Sequence, residues 1–590
     1  MNRQAGAKLT FVTQKILYLS FMFRKKFCLF ILLFAGLFVQ SQNRYDVVID
    51  ELMPDPTPAV ALPGVEFIEI KNVSAGIINL TGWRLSDATG QSGPLPNYNL
   101  KPDSFLLICS SGSLAQMLAY GPAVSVTSFP SLDNDGDVIS LKTPSGKLIH
   151  SVSYSIDWYQ NAVKSDGGWT LEMTDTRNPC GGIDNWKASS DIRGGTPGAK
   201  NSGDAVNADN KPPQLLRTYT NTITQIVAVF NEPVDSAAAA IAANYSFSNG
   251  ITITAAAPVS PAFQQVILTL SGPLVGGTVY QLTVTGVSDC KGNSMGSFNK
   301  ARSGLPVDAD SLDMVVNEIL FNPKSGGFDF AEYYNRSNKI FDASKMFVAN
   351  HNTAGAIANV KKMSEQPCLV FPGDYITLTE NRQYITTQFL VKNPDWLIQA
   401  PSLPSMNDDE SFVIVLNFQG KIVDQVNYKD DWHFQLIDNP EGISLERIDY
   451  NGPSQNPANW HSAAFTAGYG TPTAQNSQYK TGDFGNGEIT LSPKTFSPDN
   501  DGTDDILTIS YQLGERGYLA NVTVFNASGK MVRQLRKNDL LGFKGSWTWD
   551  GLNDKNEKLP MGIYVVWTEI FNLQGKKKVF KNTVVLARRM

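Results

Sequence analysis

Val47-Val48-Ile49-Asp50-Glu51-Leu52-Met53-Pro54 and Val315-Val316-Asn317-Glu318-Ile319-Leu320-Phe321-Asn322-Pro323 are one phrase written twice, and reading them as a pair decides the fold. Each is a short apolar run interrupted by polar residues and stopped by proline, the pattern of a β-strand. The match continues outward. LKPDSFLLICSS from Leu100 answers VFPGDYITLTEN from Val370, with Phe105 opposite Tyr375. The stretch from Ser128 through Trp158 answers that from Ser402 through Trp432, and the stretch from Gly168 to Trp186 answers that from Gly442 to Trp460. Both copies then reach Thr-Pro, at Thr196-Pro197 and Thr471-Pro472. The chain therefore holds two copies of a unit of about 155 residues. Alternation in Val138-Ile139-Ser140-Leu141-Lys142 and Phe412-Val413-Ile414-Val415-Leu416 makes each copy β, and short strands between Gly, Pro and Asp turns are the pattern of a sandwich.

The chain has 590 residues, too many for one core, and its 42% hydrophobic and 18% charged content exclude wholesale disorder. Residues 1–41 carry six basic residues and no acid, followed by the apolar run Phe27 to Val39. That run is shorter than the roughly 20 residues of a membrane span, so a signal peptide cleaved between Ser41 and Gln42 is expected, with an uncleaved anchor as the other reading. Taking those six from the 49 Lys and Arg leaves 43 against 55 acids, a formal −12 that argues against nucleic acid as a partner. The C-terminal end runs the other way: from Lys530 onward there are 13 Lys and Arg against 5 acids. Such a basic stretch is either a solvated strand face or the footprint of an anionic partner.

Glu66-Phe67-Ile68-Glu69-Ile70-Lys71-Asn72 followed by Leu80-Thr81-Gly82-Trp83-Arg84-Leu85-Ser86-Asp87 resembles the lamin-tail domain, an immunoglobulin-like sandwich. The second copy keeps Phe330-Ala331-Glu332-Tyr333-Tyr334-Asn335 but departs at Ala343-Ser344-Lys345-Met346-Phe347-Val348-Ala349, where Gly-Trp is gone. Between the copies, Gln225 to Asp235, Val266 to Leu270 and Thr278 to Val284 resemble the bacterial Ig-like module of S-layer and adhesin-type proteins. Phe496-Ser497-Pro498-Asp499-Asn500-Asp501-Gly502, Trp549-Asp550-Gly551 and Pro560-Met561-Gly562-Ile563-Tyr564 are similar to hook-capping Ig-like domains and to the C-terminal modules of the Bacteroidetes type IX system. The expected architecture is all-β, a tandem array of four Ig-like sandwiches: lamin-tail domains at 42–201 and 312–476, an Ig-like spacer at 211–305 and a hook-cap-like domain at 485–590.

Four cysteines follow the leader, and export permits three pairings. Cys109 lies opposite Thr379 and Cys180 opposite Ser454, so the first copy has both and the second neither. That joint presence favours a Cys109 to Cys180 disulfide, leaving Cys290 with Cys368; buried free thiols are the other reading. Asp499, Asp501 and Asp505 place oxygens at spaced positions around Gly502, as calcium loops do, although the distal glutamate of an EF-hand is missing and an Asp-rich turn explains the same residues. Asp133, Asp135 and Asp137 fit a hairpin turn better. Asp235-Ser236-Ala237 and Asp310-Ser311-Leu312 resemble an O-glycosylation sequon of Bacteroidetes envelope proteins, which marks Ser236 and Ser311.

Catalysis has little to stand on. There are four histidines, no His-Glu-x-x-His and no Gly-x-Ser-x-Gly, and Glu66 and Glu69 point to opposite faces of one strand. The expected role is a non-enzymatic exported scaffold or binding protein at the outer membrane or cell surface, an accessory component of an outer-membrane assembly. It requires no cofactor beyond the calcium considered above. Its partners would be surface proteins, glycan or lipopolysaccharide, with membrane association through them. The alternative is a type IX-secreted adhesin whose last domain is a sorting signal.

Overall fold

The computed structural model describes residues 42–479 and 487–588. The leader and Ser41 lie outside the described residues, and so does the stretch 480–486 before the last domain. The structure is an all-β array of sandwiches. It divides into two compact units: one runs to Lys211 and takes in Ser260–Phe263 and Asp289–Lys291, the other holds Pro212–Val259, Gln264–Ser288 and the chain from Gly292 onward.

In the first unit, a six-stranded sheet has the order Trp186–Ala188, Leu171–Met173, Val47–Met53, Phe67–Asn72, Phe105–Ser110, Ala123–Val126. A second sheet of Arg84–Ser86, Gly136–Lys142 and Leu148–Ser155 closes over one face. Ile49, Ile68, Ile70, Leu106 and Ile108 meet Trp83, Leu85, Ile139 and Leu141 between the sheets. The central strands are buried on both faces: Val47–Met53 and Phe67–Asn72 have no exposed residue.

The second copy repeats this sheet strand for strand: Trp460–Ser462, Leu445–Arg447, Met314–Leu320, Phe330–Asn335, Tyr375–Thr379, Leu397–Gln399. Even a β-bulge recurs, between Ile49 and Glu51 in one copy and between Val316 and Glu318 in the other. The missing Gly-Trp has a physical replacement. Gly82 takes φ 78° and delivers Trp83 to the core; in its place a 3-10 turn, Ala343–Lys345, delivers Met346, which is equally buried. The second sheet here gains a strand, Ile357–Lys362, beside Phe347–His351, Glu410–Leu416 and Ile422–Lys429.

Also in the second unit, the spacer pairs a four-stranded sheet, Leu215–Thr222, Gln225–Phe230, Gln265–Leu270, Ile253–Pro258, with a three-stranded one. The last domain packs Glu488–Ser492, Leu507–Gln512 and Lys544–Trp549 against a five-stranded sheet centred on Gly562–Asn572.

The disulfide expectation is corrected. Cys180 bonds Cys290, with Cα atoms 6.4 Å apart, while Cys109 and Cys368 are free thiols. Cys109 sits mid-strand and packs with Met53, Phe67, Leu107 and Met117, so it serves as a small apolar residue. Cys180 is in a loop, where the Asp289–Lys291 turn reaches it; Lys291 Nζ also donates to Arg177 O at 2.7 Å. Cys368 is tied to the second copy's core, its N–H donating to Asp342 Oδ1. Joint presence in one copy had two separate causes.

Candidate functional site

Cross-strand register, rather than spacing along a strand, gathers the acidic residues. Glu51 pairs with Glu69 on one side and Glu172 on the other; Glu318 pairs likewise with Glu332 and Glu446. Directly paired residues share a face. Each copy therefore carries a row of three fully buried glutamates on the face opposite the sandwich core.

A strap covers each row, and its sequence is nearly the same: Gly195-Thr196-Pro197-Gly198-Ala199-Lys200-Asn201-Ser202 and Gly470-Thr471-Pro472-Thr473-Ala474-Gln475-Asn476-Ser477. In the second copy a donor group lies within hydrogen-bonding distance of each of the six carboxylate oxygens, the single Thr471 hydroxyl proton being shared between Glu318 Oε2 and Glu446 Oε1. Thr471 N and Oγ1 donate to Glu318 Oε1 and Oε2 at 2.8 and 2.9 Å, and Ser444 Oγ also donates to Glu318. Thr473 N and Thr377 Oγ1 donate to Glu332 Oε2 at 2.5 and 2.7 Å, and Asn317 Nδ2 donates to Glu332 Oε1 at 2.8 Å. Ser477 Oγ and Gln478 N both donate to Glu446 Oε2 at 2.8 Å, and Thr471 Oγ1 reaches Glu446 Oε1.

In the first copy Thr196 N and Thr170 Oγ1 donate to Glu51 Oε1, Gly198 N to Glu69 Oε2, and Ser202 Oγ with Gly203 N to Glu172 Oε2. Leu107 stands where the second copy has Thr377, and Asp50 where it has Asn317. Two donors are thereby missing, and Asp50 Oδ1, Glu51 Oε2 and Glu69 Oε1 are buried without a partner.

Burial holds Glu51, Glu69, Glu318, Glu332 and Glu446 above the ordinary carboxyl range, and neighbouring acids push Glu51, Glu69, Glu318 and Glu332 further; Asp50 is pushed up to about 7, chiefly by burial. The arrangement is a clasp of buried carboxyl groups closed by the donors of the strap. The six glutamates align one to one in the repeat, a signal the sequence offered but which a search along single strands misses.

The remaining expected residues stay separate. Oxygens of Asp499, Asp501 and Asp505 lie within 4.8 Å of one another, as a calcium loop needs. Both Asp505 oxygens also accept backbone N–H groups, from Asp499, Asn500 and Gly502, as an Asp-rich turn needs. Ser236 begins a short helix capped by Asp235, whose Oδ1 accepts from Ala238 N; Ser311 is exposed just before the Met314–Leu320 strand. Gln42 carries a hydrogen bond from Lys147 Nζ to its carbonyl oxygen. Asp133 O accepts from Tyr154 OH and from Gly136 N, the geometry of a turn.

Three of the histidines are structural. His150 accepts from Ile49 N at 2.8 Å and bridges to Pro179 O, and burial lowers its pKa to about 4; His433 and His461 are lowered to about 4 for the same reason. His351 stacks on Phe412.

The last domain is docked on the second lamin-tail-like copy. Phe434, Leu519 and Leu540 form a shared apolar cluster with Ile437 and Phe571. Thr466 Oγ1 and Tyr511 OH lie 2.6 Å apart, Arg516 donates to Ala458 O, and the Arg536 guanidinium stands 5.1 Å from the Phe465 ring. Gln478, directly after the strap, donates from Nε2 to Leu541 O at 3.3 Å. Gly542 fits because any Cβ there would lie 2.5 Å from Ser477 O.

The described residues form all-β sandwiches joined in series, the architecture of a multidomain protein built from Ig-like modules. Family models name three of its modules: Lamin Tail Domain at residues 40–155, Bacterial Ig-like domain at 206–301 and CHU_C Type IX secretion signal domain at 490–586. These bear out the resemblances drawn from the motifs, and the type IX signal domain marks the protein as exported, to the cell surface or beyond. The second lamin-tail-like copy rests on the repeated sheet. No curated protein matches the chain. Among solved structures it is similar to the N-terminal part of the bacterial S-layer protein SbsC, at 14% identity, over 37% of this chain and 43% of that one, TM-score 0.15. It is also similar to PorZ, a type-IX secretion system surface component of Porphyromonas gingivalis, at 9% identity, over 90% and 75%, TM-score 0.16. A DUF4876 family protein from Bacteroides thetaiotaomicron matches at 13% identity, over 40% and 90%, TM-score 0.16. The chain spans about half the length of the S-layer structures it matches. Scores this low carry no weight for function.

Proposed function

We propose that this chain is a non-enzymatic scaffold held at the outer membrane, an accessory component of a surface assembly that keeps its C-terminal domain. The observation that carries this reading is the docking of that domain through Phe434, Leu519, Leu540 and Phe571. A module that shares apolar contacts with its neighbour is built to stay, since removing it would uncover that patch. Its outer sheet face suits an acidic partner, a surface protein or lipopolysaccharide: Ile563, Val585, Lys577 and Lys581 are exposed there, with Lys581 Nζ 4.6 Å from the Trp567 ring. Membrane association would then run through partners; no helix among the described residues is long and apolar enough to cross a membrane. Ser311, exposed beside the spacer, is the better placed of the two serines for an O-linked sugar.

A second reading is favoured by the match of residues 490–586 to a type IX secretion signal domain: a secreted adhesin from which this domain is cut. Mass spectrometry of the native protein from the outer-membrane fraction decides between them. An intact chain to Met590 with a stoichiometric membrane partner supports the scaffold. A product ending before the last domain, with no partner, supports the adhesin.

A further inference from the structure

The two clasps differ where it matters for charge. A β-bulge sets two consecutive residues on the same side of a strand. In the second copy those residues are Asn317 and Glu318, and Asn317 Nδ2 bridges Glu332 Oε1 at 2.8 Å and Asn476 Oδ1 at 2.7 Å. In the first copy they are Asp50 and Glu51. An oxygen acid replaces an amide donor, which leaves Asp50 Oδ1 and Glu69 Oε1 orphaned; Glu51 Oε2 is orphaned as well because Thr196 Oγ1 donates to Glu172 Oε1 instead, and the three residues are 2%, 0% and 0% exposed. A buried carboxylate without a donor is strongly disfavoured unless it is neutralised, because the ion has lost its water without replacement.

The charged groups acting on Asp50 are Lys71, Glu172, Asp204 and Asp103, and its own cluster adds Glu51 and Glu69. Lys71 is the one base among them, and its Nζ already pairs with Asp103 Oδ1 at 3.1 Å. Arg193 acts weakly on Glu51 but is bound to Asp191. Lys71, shared with Asp103, is therefore the one base among these groups that acts on Asp50, and burial outweighs it. A single metal ion is not indicated either: this cluster is not among the groups of described residues whose oxygens converge within 4.8 Å.

We propose that the first copy's acids hold an extra proton, shared between Asp50 and the Glu51–Glu69 pair, that the second copy does not need, and that losing it opens the strap 195–203. The proton supplies the donor that Asn317 supplies in the second copy. When it leaves as the pH rises, Asp50 repels Glu69 and Glu51, and the strap contacts to those carboxylates, from Thr196 N and Gly198 N, are the ones weakened. The first lamin-tail domain is then a pH-keyed clasp, and its neighbour a version with that extra proton replaced by an amide.

Hydrogen exchange of the full chain, read by mass spectrometry and corrected for intrinsic rates, tests this with its own internal control. Between about pH 6 and about pH 9, amides of 195–203 should lose protection more steeply than those of 470–478, by up to tenfold per pH unit for one extra proton. Asp50→Asn should bring the first strap to the slope of the second, and Asn317→Asp should give the second strap the slope of the first. Equal slopes in the wild type, or a first-strap slope unchanged in Asp50→Asn, would overturn the proposal. So would calcium or magnesium chloride restoring protection at about pH 9 in the wild type but not in Asp50→Asn, since a metal ion would then be the counter-charge. If Asp50→Asn fails to fold, the reciprocal Asn317→Asp still decides.

Discussion

At the scale of single residues the clasp fixes the sign of the pH dependence. Glu51, Glu69, Glu318, Glu332 and Glu446 titrate higher in the folded chain than in the unfolded one, where a carboxyl has its ordinary value near 4.5. The folded state therefore holds protons the unfolded state has released, so the stability they contribute is full below about 4.5 and is lost as pH climbs through the raised values. Melting temperature should fall from mildly acidic to alkaline pH, and Glu51→Gln, which keeps the acceptor and removes the charge, should flatten that fall; differential scanning across pH reads it. The buried histidines work on the other limb. His150, lowered to about 4, is neutral when folded, so its contribution is present above about 6.5 and fades as pH falls toward 4. The strap's threonine is the second residue to test. Thr471→Val removes the one hydroxyl proton shared between Glu318 Oε2 and Glu446 Oε1 while keeping the N–H, and should cost about 1–3 kcal/mol in chemical denaturation for the buried donor lost. A cost near zero would mean that water replaces the hydroxyl.

At the scale of elements, the docking of the last domain depends on a few side chains from two sandwiches. Leu519 and Phe571 lie on the outer face of the five-stranded sheet, and Phe434 covers them from the second copy. The second copy and the last domain should melt together in the wild type, and Leu519→Asp, which puts a charge into that contact, should let the last domain melt on its own; calorimetry that shows the same transitions in both would sink the idea of a shared interface. How much of this was legible in the sequence follows from what sequence patterns encode. Strand alternation and the repeat are local or self-referential, so the sandwiches and the equivalence of the copies could be read directly. Glu51, Glu69 and Glu172 are separated along the chain and meet only through register, which is set by the bulge at Asp50 and not by spacing. Trp83 shows the opposite case: its motif is legible in one copy, while Met346 fills the same core position from an unrelated turn that no motif announces. The domain interface was illegible because Phe434, Leu519 and Leu540 look like any other strand residues until two sheets are brought together.

At the scale of the whole molecule, the disulfide is the feature on which the sequence reading and the structure part most sharply. The reading paired Cys109 with Cys180 inside one copy; the structure joins Cys180 to Cys290, 110 residues apart. Such a long loop makes the bond matter, because cross-linking it removes about 4–5 kcal/mol of chain entropy from the unfolded state in the loop-closure description. Cys109 has no such role. Burial pushes its thiol up to about 11, which keeps it protonated and unreactive among Met53, Phe67 and Met117. Two outcomes follow together. Non-reducing peptide mapping should recover one cross-linked pair containing Cys180 and Cys290, and reductant or Cys290→Ser should lower the melting temperature of the transition that includes the first lamin-tail domain. Cys109→Ala should lower it less, by the loss of one buried sulfur, and should be insensitive to reductant as a separate effect. A recovered Cys109 to Cys180 peptide would restore the pairing expected from the repeat. It would also require Cys109 to leave the sheet interior, which the buried strand Phe105–Ser110, hydrogen-bonded on both sides, does not allow without unfolding.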